Sequence, residues 1–155
     1  MGEKSNQNVI SPEMILLDSE LSNQDDVIHY IVDNAKANHY LADEDDFYQA
    51  VKKREQEIPT AIGDLIAIPH GKTDTVQNPF IAYLRTNKAF RWTEEKEEMV
   101  QMVFLIGVPK ESESQLHLKF ISQLSKKLLD EEFREKLLTQ TDPDKIYQQL
   151  NSIEI

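Results

Sequence analysis

The spacing of apolar residues changes twice along this chain, and few folds accommodate the resulting order. Leu65 to Ile68, Phe80 to Leu84 and Met99 to Ile106 are short apolar runs that read as strands. Gly63, Pro69, Gly71 and Pro79 punctuate them, and Gly107 to Pro109 closes the last one. On either side the spacing is helical. Upstream, Ser22 or Asn23 is placed to cap a helix with Asp25 and Asp26 in its first turn and Val27, Ile28, Ile31, Val32 and Ala35 as its buried stripe. A second helix begins at the acidic run Asp43 to Asp46, carries Phe47, Ala50 and Val51 on its apolar face, and runs to about Arg54 or Glu55 before Pro59 stops it. From Ser112 onward the helical period returns. Leu116, Phe120, Ile121, Leu124 and Leu128 share one face, Phe133, Leu137 and Leu138 follow, and Ile146, Tyr147 and Leu150 come after Asp142 and Pro143. Helices that bracket a block of strands predict an α/β fold: a single layered domain with a central mixed β-sheet flanked by helices on both faces.

A length of 155 residues suits one hydrophobic core and not two. Residues 1–11 lack periodicity and read as a flexible N-terminal segment, so the domain is expected over residues 12–155, opening on Met14, Ile15, Leu16 and Leu17. No apolar run approaches bilayer length, Met1 to Ser11 has no apolar signal-like core, and cysteine is absent, so a cytoplasmic location is expected. Lys and Arg number 17 against 28 Asp and Glu, a net charge of −11 that repels nucleic acid and anionic membranes. Neither nucleic acid nor membrane insertion is expected. The acidic surface serves solubility first, and it would also steer a basic protein partner.

The chemistry available to such a chain narrows quickly. Its four glycines, at positions 2, 63, 71 and 107, match no nucleotide-binding loop, and no serine sits in a nucleophile elbow. Histidine remains. His70 follows Ile66-Ala67-Ile68 and lies between Pro69 and Gly71, so it is expected at a strand end where the chain turns out of the sheet. A loop histidine beside an ordinary turn is the plainer reading of the same residues. His117 falls in the first turns of the helix expected to start near Ser112 or Ser114, where unpaired N–H groups attract anions; it also fits as a residue beside the buried face of Leu116, Phe120 and Ile121. Arg54, near a helix C-terminus, is explained equally well by the helix dipole or by a site role.

The run Glu55 to Gly71, E-Q-E-I-P-T-A-I-G-D-L-I-A-I-P-H-G, resembles the histidine signature of the mannitol/fructose-type (type 2) enzyme IIA family of the bacterial phosphoenolpyruvate-dependent sugar phosphotransferase system. The likeness includes Glu55, the pair Ile62-Gly63 and the terminal Ile66-Ala67-Ile68-Pro69-His70-Gly71, and continues through Met99 to Pro109 and Gln115-Leu116-His117-Leu118. It covers nearly the whole domain, from about Met14 to Leu150. Leu65 stands where relatives often carry a second glycine.

The resemblance implies that His70 is the phosphorylated residue, with Arg54 and His117 as the other active-site residues. It implies phospho-HPr as donor, a cysteine of a cognate IIB component as acceptor, and an indirect link to a membrane IIC permease, in a fructose, mannitol or galactitol system. It further implies Nε2 of His70 as the accepting nitrogen, so Nδ1–H is expected to be held by a backbone carbonyl or another acceptor. His117 would then hydrogen-bond a phosphoryl oxygen and Arg54 would offset its charge. No metal or cofactor is called for. Two other classes compete: a nitrogen-related regulatory IIA-like protein whose partners respond to phosphorylation of His70, and a metal-dependent hydrolase using His70 and His117. No carboxylate cluster at ligand spacing supports the hydrolase.

Overall fold

The computed structural model describes residues 9–111 and 115–153. A short 3-10 helix, Pro12–Met14, leads into β1, Ile15–Ser19. Two helices follow, α1 (Gln24–Ala37) and α2 (Glu44–Glu57), then five strands: β2 (Ala61–Gly63), β3 (Ile66–Ala67), β4 (His70–Thr73), β5 (Phe80–Arg91) and β6 (Met99–Pro109). The chain ends in α3 (Leu116–Lys127), α4 (Glu131–Thr139) and α5 (Pro143–Asn151). Ser112 and Ser114, where the period placed the start of α3, and the side chain of Leu116 lie outside the described residues.

Short polar side chains start α1, α2, α4 and α5. The Asn23 side chain accepts from the Asp26 N–H at 2.8 Å, which decides between Ser22 and Asn23. Asp43 accepts from the N–H groups of Asp45 and Asp46, and Asp130 and Asp142 cap α4 and α5 in the same way. Helix α2 runs two residues beyond the expected stop, to Glu57. Ile58, which precedes Pro59, is extended as a pre-proline residue must be.

The sheet is mixed, in the order β1-β5-β6-β3-β2, with β4 also paired to β6. Strands β5 and β6 are antiparallel and form the centre, while β1 lies parallel to β5, and β3 and β4 lie parallel to β6. Alternation sorts their side chains: Tyr83, Met102, Phe104 and Ile106 face a core closed by Phe120, Leu124, Leu137, Ile146 and Leu150 of α3, α4 and α5. Phe80, Leu84, Val103 and Leu105 face the other core, closed by the α1 stripe and by Phe47 and Val51 of α2. Helices therefore cover both faces, as expected. Gly107 carries no side chain because a Cβ there would overlap the Phe80 ring.

Two sequence expectations need correction. Val9 and Ile10 are buried with the first core, and the Val9 carbonyl accepts from Ile81 N–H at 2.7 Å, so packing begins before Pro12. Two apolar residues are too few to show a period. Strands β2 and β4 were not expected either: His-Gly-Lys-Thr is polar and becomes a strand only because β6 supplies its ladder. Among the described residues no helix is long and apolar enough to cross a membrane.

Candidate active site

Strands β3 and β4 lie end to end along the same edge of β6, separated by Ile68 and Pro69. Proline has no N–H to contribute to a ladder, so the strand breaks there, and the Pro69 carbonyl still accepts from Ile106 N–H at 3.0 Å. His70 is thus the first residue of β4, aligned with Ile106, rather than the point where the chain leaves the sheet. The next residue lies under α2, where a Cβ on Gly71 would come within 3.0 Å of Val51 and 3.1 Å of Phe47. Gly71 therefore lets α2, with Arg54 in its last turn, pack closely over the histidine strand.

Nδ1 of His70 lies 3.1 Å from the Ile68 carbonyl oxygen. A carbonyl can only accept, so Nδ1 carries the proton and the lone pair resides on Nε2. This is the orientation expected above. Burial lowers the His70 pKa; the bond to Ile68 opposes that shift and the charge of Arg54 adds to it.

His117, the second residue of α3, brings its ring to 5.1 Å from that of His70, centroid to centroid, at 29° between planes. Gln115 at the N-cap makes no side-chain cap bond and, among the described residues, the first turn of α3 holds no acid, so its N–H groups are placed to meet an anion. Among the described residues, Nδ1 of His117 is buried with no hydrogen-bond partner. A buried polar atom without a partner is costly, and the atom is suited to a polar group arriving from outside. Burial first, then the charges of His70, Lys72 and Arg54, lower the His117 pKa, so both rings resist protonation.

Arg54 is half-buried, and its Nη1 donates to the Ile58 carbonyl at 2.8 Å, which ties the guanidinium to the loop after α2. Its charge acts on both histidines. The structure thus brings the three expected residues into one electrostatic neighbourhood, with the two rings in contact. Sequence reading missed a fourth. Lys72 lies two residues after His70 on β4 and therefore on the same face, is exposed, and acts on His117. Strand alternation would have found it had β4 been legible as a strand.

Two clefts, of about 630 and about 800 Å³, are lined by residues other than the two histidines. Exposed Leu118 stands beside His117, and exposed Ile58 receives the Arg54 bond. Among the described residues no group of three His, Cys, Asp or Glu is placed to hold a metal ion.

This fold, with an oriented histidine beside a second one, has known relatives. The family model of the phosphoenolpyruvate-dependent sugar phosphotransferase system, EIIA 2, matches residues 8–153. The chain belongs to this family. It is similar to the PTS system fructose-specific EIIA component of Haloferax volcanii, 33% identical over 126 residues, which cover 81% of each chain. It is 43% identical over 88 residues to the PTS system fructose-specific EIIABC component of Mycoplasma pneumoniae, covering 57% of this chain and only 12% of that one. The chain thus spans a small part of such multicomponent relatives. Among solved structures, the nitrogen regulatory protein IIA-Ntr from Neisseria meningitidis superposes with a TM-score of 0.83 at 23% identity, covering 93% of this chain and 97% of the other. The complex of enzyme IIAMTL with phosphorylated enzyme IIBMTL from Escherichia coli gives 0.76 at 24% identity, covering 90% and 95%. At these identities the structural likeness bears on the fold.

Proposed function

We propose that this chain is a cytoplasmic phosphocarrier: His70 takes a phosphoryl group from phospho-HPr and passes it to a cysteine of a cognate IIB component that serves a IIC permease. The observation that carries this reading is the orientation of His70, with Nδ1–H directed at the Ile68 carbonyl and Nε2 left as the nucleophile, beside the ring of His117. Phosphoryl transfer asks little covalent chemistry of the protein and much positioning and charge. Nε2 attacks phosphorus as the bond to the donor histidine breaks, and the three equatorial oxygens gather negative charge. Arg54, Lys72 and the N–H groups that open α3 meet that charge, and His117 donates a hydrogen bond to one oxygen. The low pKa of His70 serves acceptance, since only the neutral ring is a nucleophile. Leu118 and Ile58, exposed beside the site, would be covered by the partner, which then excludes water.

The fructose-named relatives are the more identical in sequence and favour a fructose-type transport component. The nitrogen-regulatory likeness is one of fold, and His70 would serve a regulator by the same chemistry. Incubation with phosphoenolpyruvate, enzyme I and HPr tests the proposal: the chain gains an acid-labile phosphate, and His70→Ala does not. Equal labelling of His70→Ala would remove the proposal. Transfer onward to a fructose-type IIB, with its cysteine labelled, separates the transport reading from the regulatory one.

A further inference from the structure

Glu55 is 4% exposed and sits in the last turn of α2, next to Arg54. Both facts count against a carboxylate, because burial penalises its charge and a helix C-terminus repels anions. What holds it there is a full set of donors. Oε2 accepts from the Thr60 N–H at 2.7 Å and from Trp92 Nε1 at 2.7 Å, and Oε1 accepts from the Thr60 hydroxyl at 2.7 Å.

The bonds lead onward to the nucleophile. The Thr60 carbonyl accepts from Ile68 N–H at 3.0 Å, and the Ile68 carbonyl is the group that holds His70 Nδ1 at 3.1 Å. Glu55, Thr60 and Ile68 are all buried, so water does not compete along this path. Each link fixes the next: Glu55 pins both the N–H and the hydroxyl of Thr60, Thr60 pins the Ile68 amide, and the far side of that residue sets the histidine ring.

We propose that Glu55 is a positioning residue for phosphoryl transfer, acting through Thr60 and Ile68 to hold His70 in its Nδ1–H form with Nε2 unprotonated. This rests on the phosphocarrier reading, and it assigns the buried carboxylate a task beyond joining α2 to Trp92. A purely structural carboxylate would affect stability alone. An orienting one also sets which ring nitrogen of His70 carries the proton.

The ¹⁵N spectrum of histidine-labelled protein reads that proton directly. In folded Glu55→Gln, whose amide lacks one of the two oxygens, the Nε2–H form of His70 is expected to gain several-fold in population, and acceptance from phospho-HPr to slow by about tenfold, the scale on which groups that orient a reacting residue act. Thr60→Val removes only the hydroxyl link and is expected to move both readouts the same way by less. Parental tautomer balance in folded Glu55→Gln overturns the proposal. If Glu55→Gln does not fold, Thr60→Val decides, and an unchanged His70 there overturns it. A parent chain that takes no phosphoryl group refutes the phosphocarrier reading instead, while the tautomer comparison still decides whether Glu55 orients His70.

Discussion

At His70 a single hydrogen bond settles which ring nitrogen carries the proton, and burial with the nearby charge of Arg54 opposes protonation of the other. Arg54 acts on both histidines, whereas Lys72 acts on His117. Two variants separate them by NMR titration: Arg54→Gln raises the pKa of both rings, and Lys72→Gln raises that of His117 while leaving His70 in place. Identical titrations in parent and variants would contradict this electrostatic account. The sign of the pH dependence of stability follows too. A histidine whose pKa falls on folding binds fewer protons folded than unfolded, so below about pH 6.5 the folded chain loses stability as pH drops, down to the lowered pKa, and levels off beneath it. Urea unfolding from pH 7 to 5 should show that loss shrink when His70 and His117 are both replaced by Gln. His70, Arg54 and His117 were singled out through the resemblance that Glu55 to Gly71 and Gln115 to Leu118 carry; flanking proline and glycine and the helix ends alone left each open to a plainer reading. Lys72 and the bonds of Glu55 were not, since each depends on a neighbour brought in by the fold.

The elements that position the site owe much to two glycines. Gly71 admits α2 over β4, and Gly107 admits the Phe80 ring over β6. Gly107→Ala overlaps that ring and should cost about 3 kcal/mol, the upper part of the range for overpacked cores, by urea unfolding. Gly71→Ala meets Val51 and Phe47 at tight but relievable distances, so we expect about 1 kcal/mol and slower phosphoryl acceptance as α2 shifts with Arg54. Equal costs at the two positions would contradict this reading of the packing. The long periodic helices and β6 were readable from the chain alone because burial on one face writes a period into them. Strands of two to four residues carry no period. Asp64 and Leu65 turn β2 into β3 with left-handed backbone, φ of 55° and 66°, a conformation glycine adopts more readily than either.

Across the whole molecule the order of strands is set by pairings between residues far apart in sequence, such as Ile15 with Tyr83 and His70 with Ile106. Layering was legible, since helices flanking strands have few ways to bury both faces. Strand order was not, because parallel partners leave no local trace. The net charge of −11 operates at this scale as well, while Arg54 and Lys72 act locally on the two histidines. Association with HPr should therefore slow as salt is added, and a flat salt response by stopped-flow would remove steering from the account. The central claim is that a single ring nitrogen carries the phosphoryl group. Combined ³¹P and ¹⁵N NMR of the chain phosphorylated by phospho-HPr measures it directly: the account predicts one phosphohistidine, bonded through Nε2 of His70, and a phosphorus bonded to Nδ1 of His70 or to any other residue would contradict it.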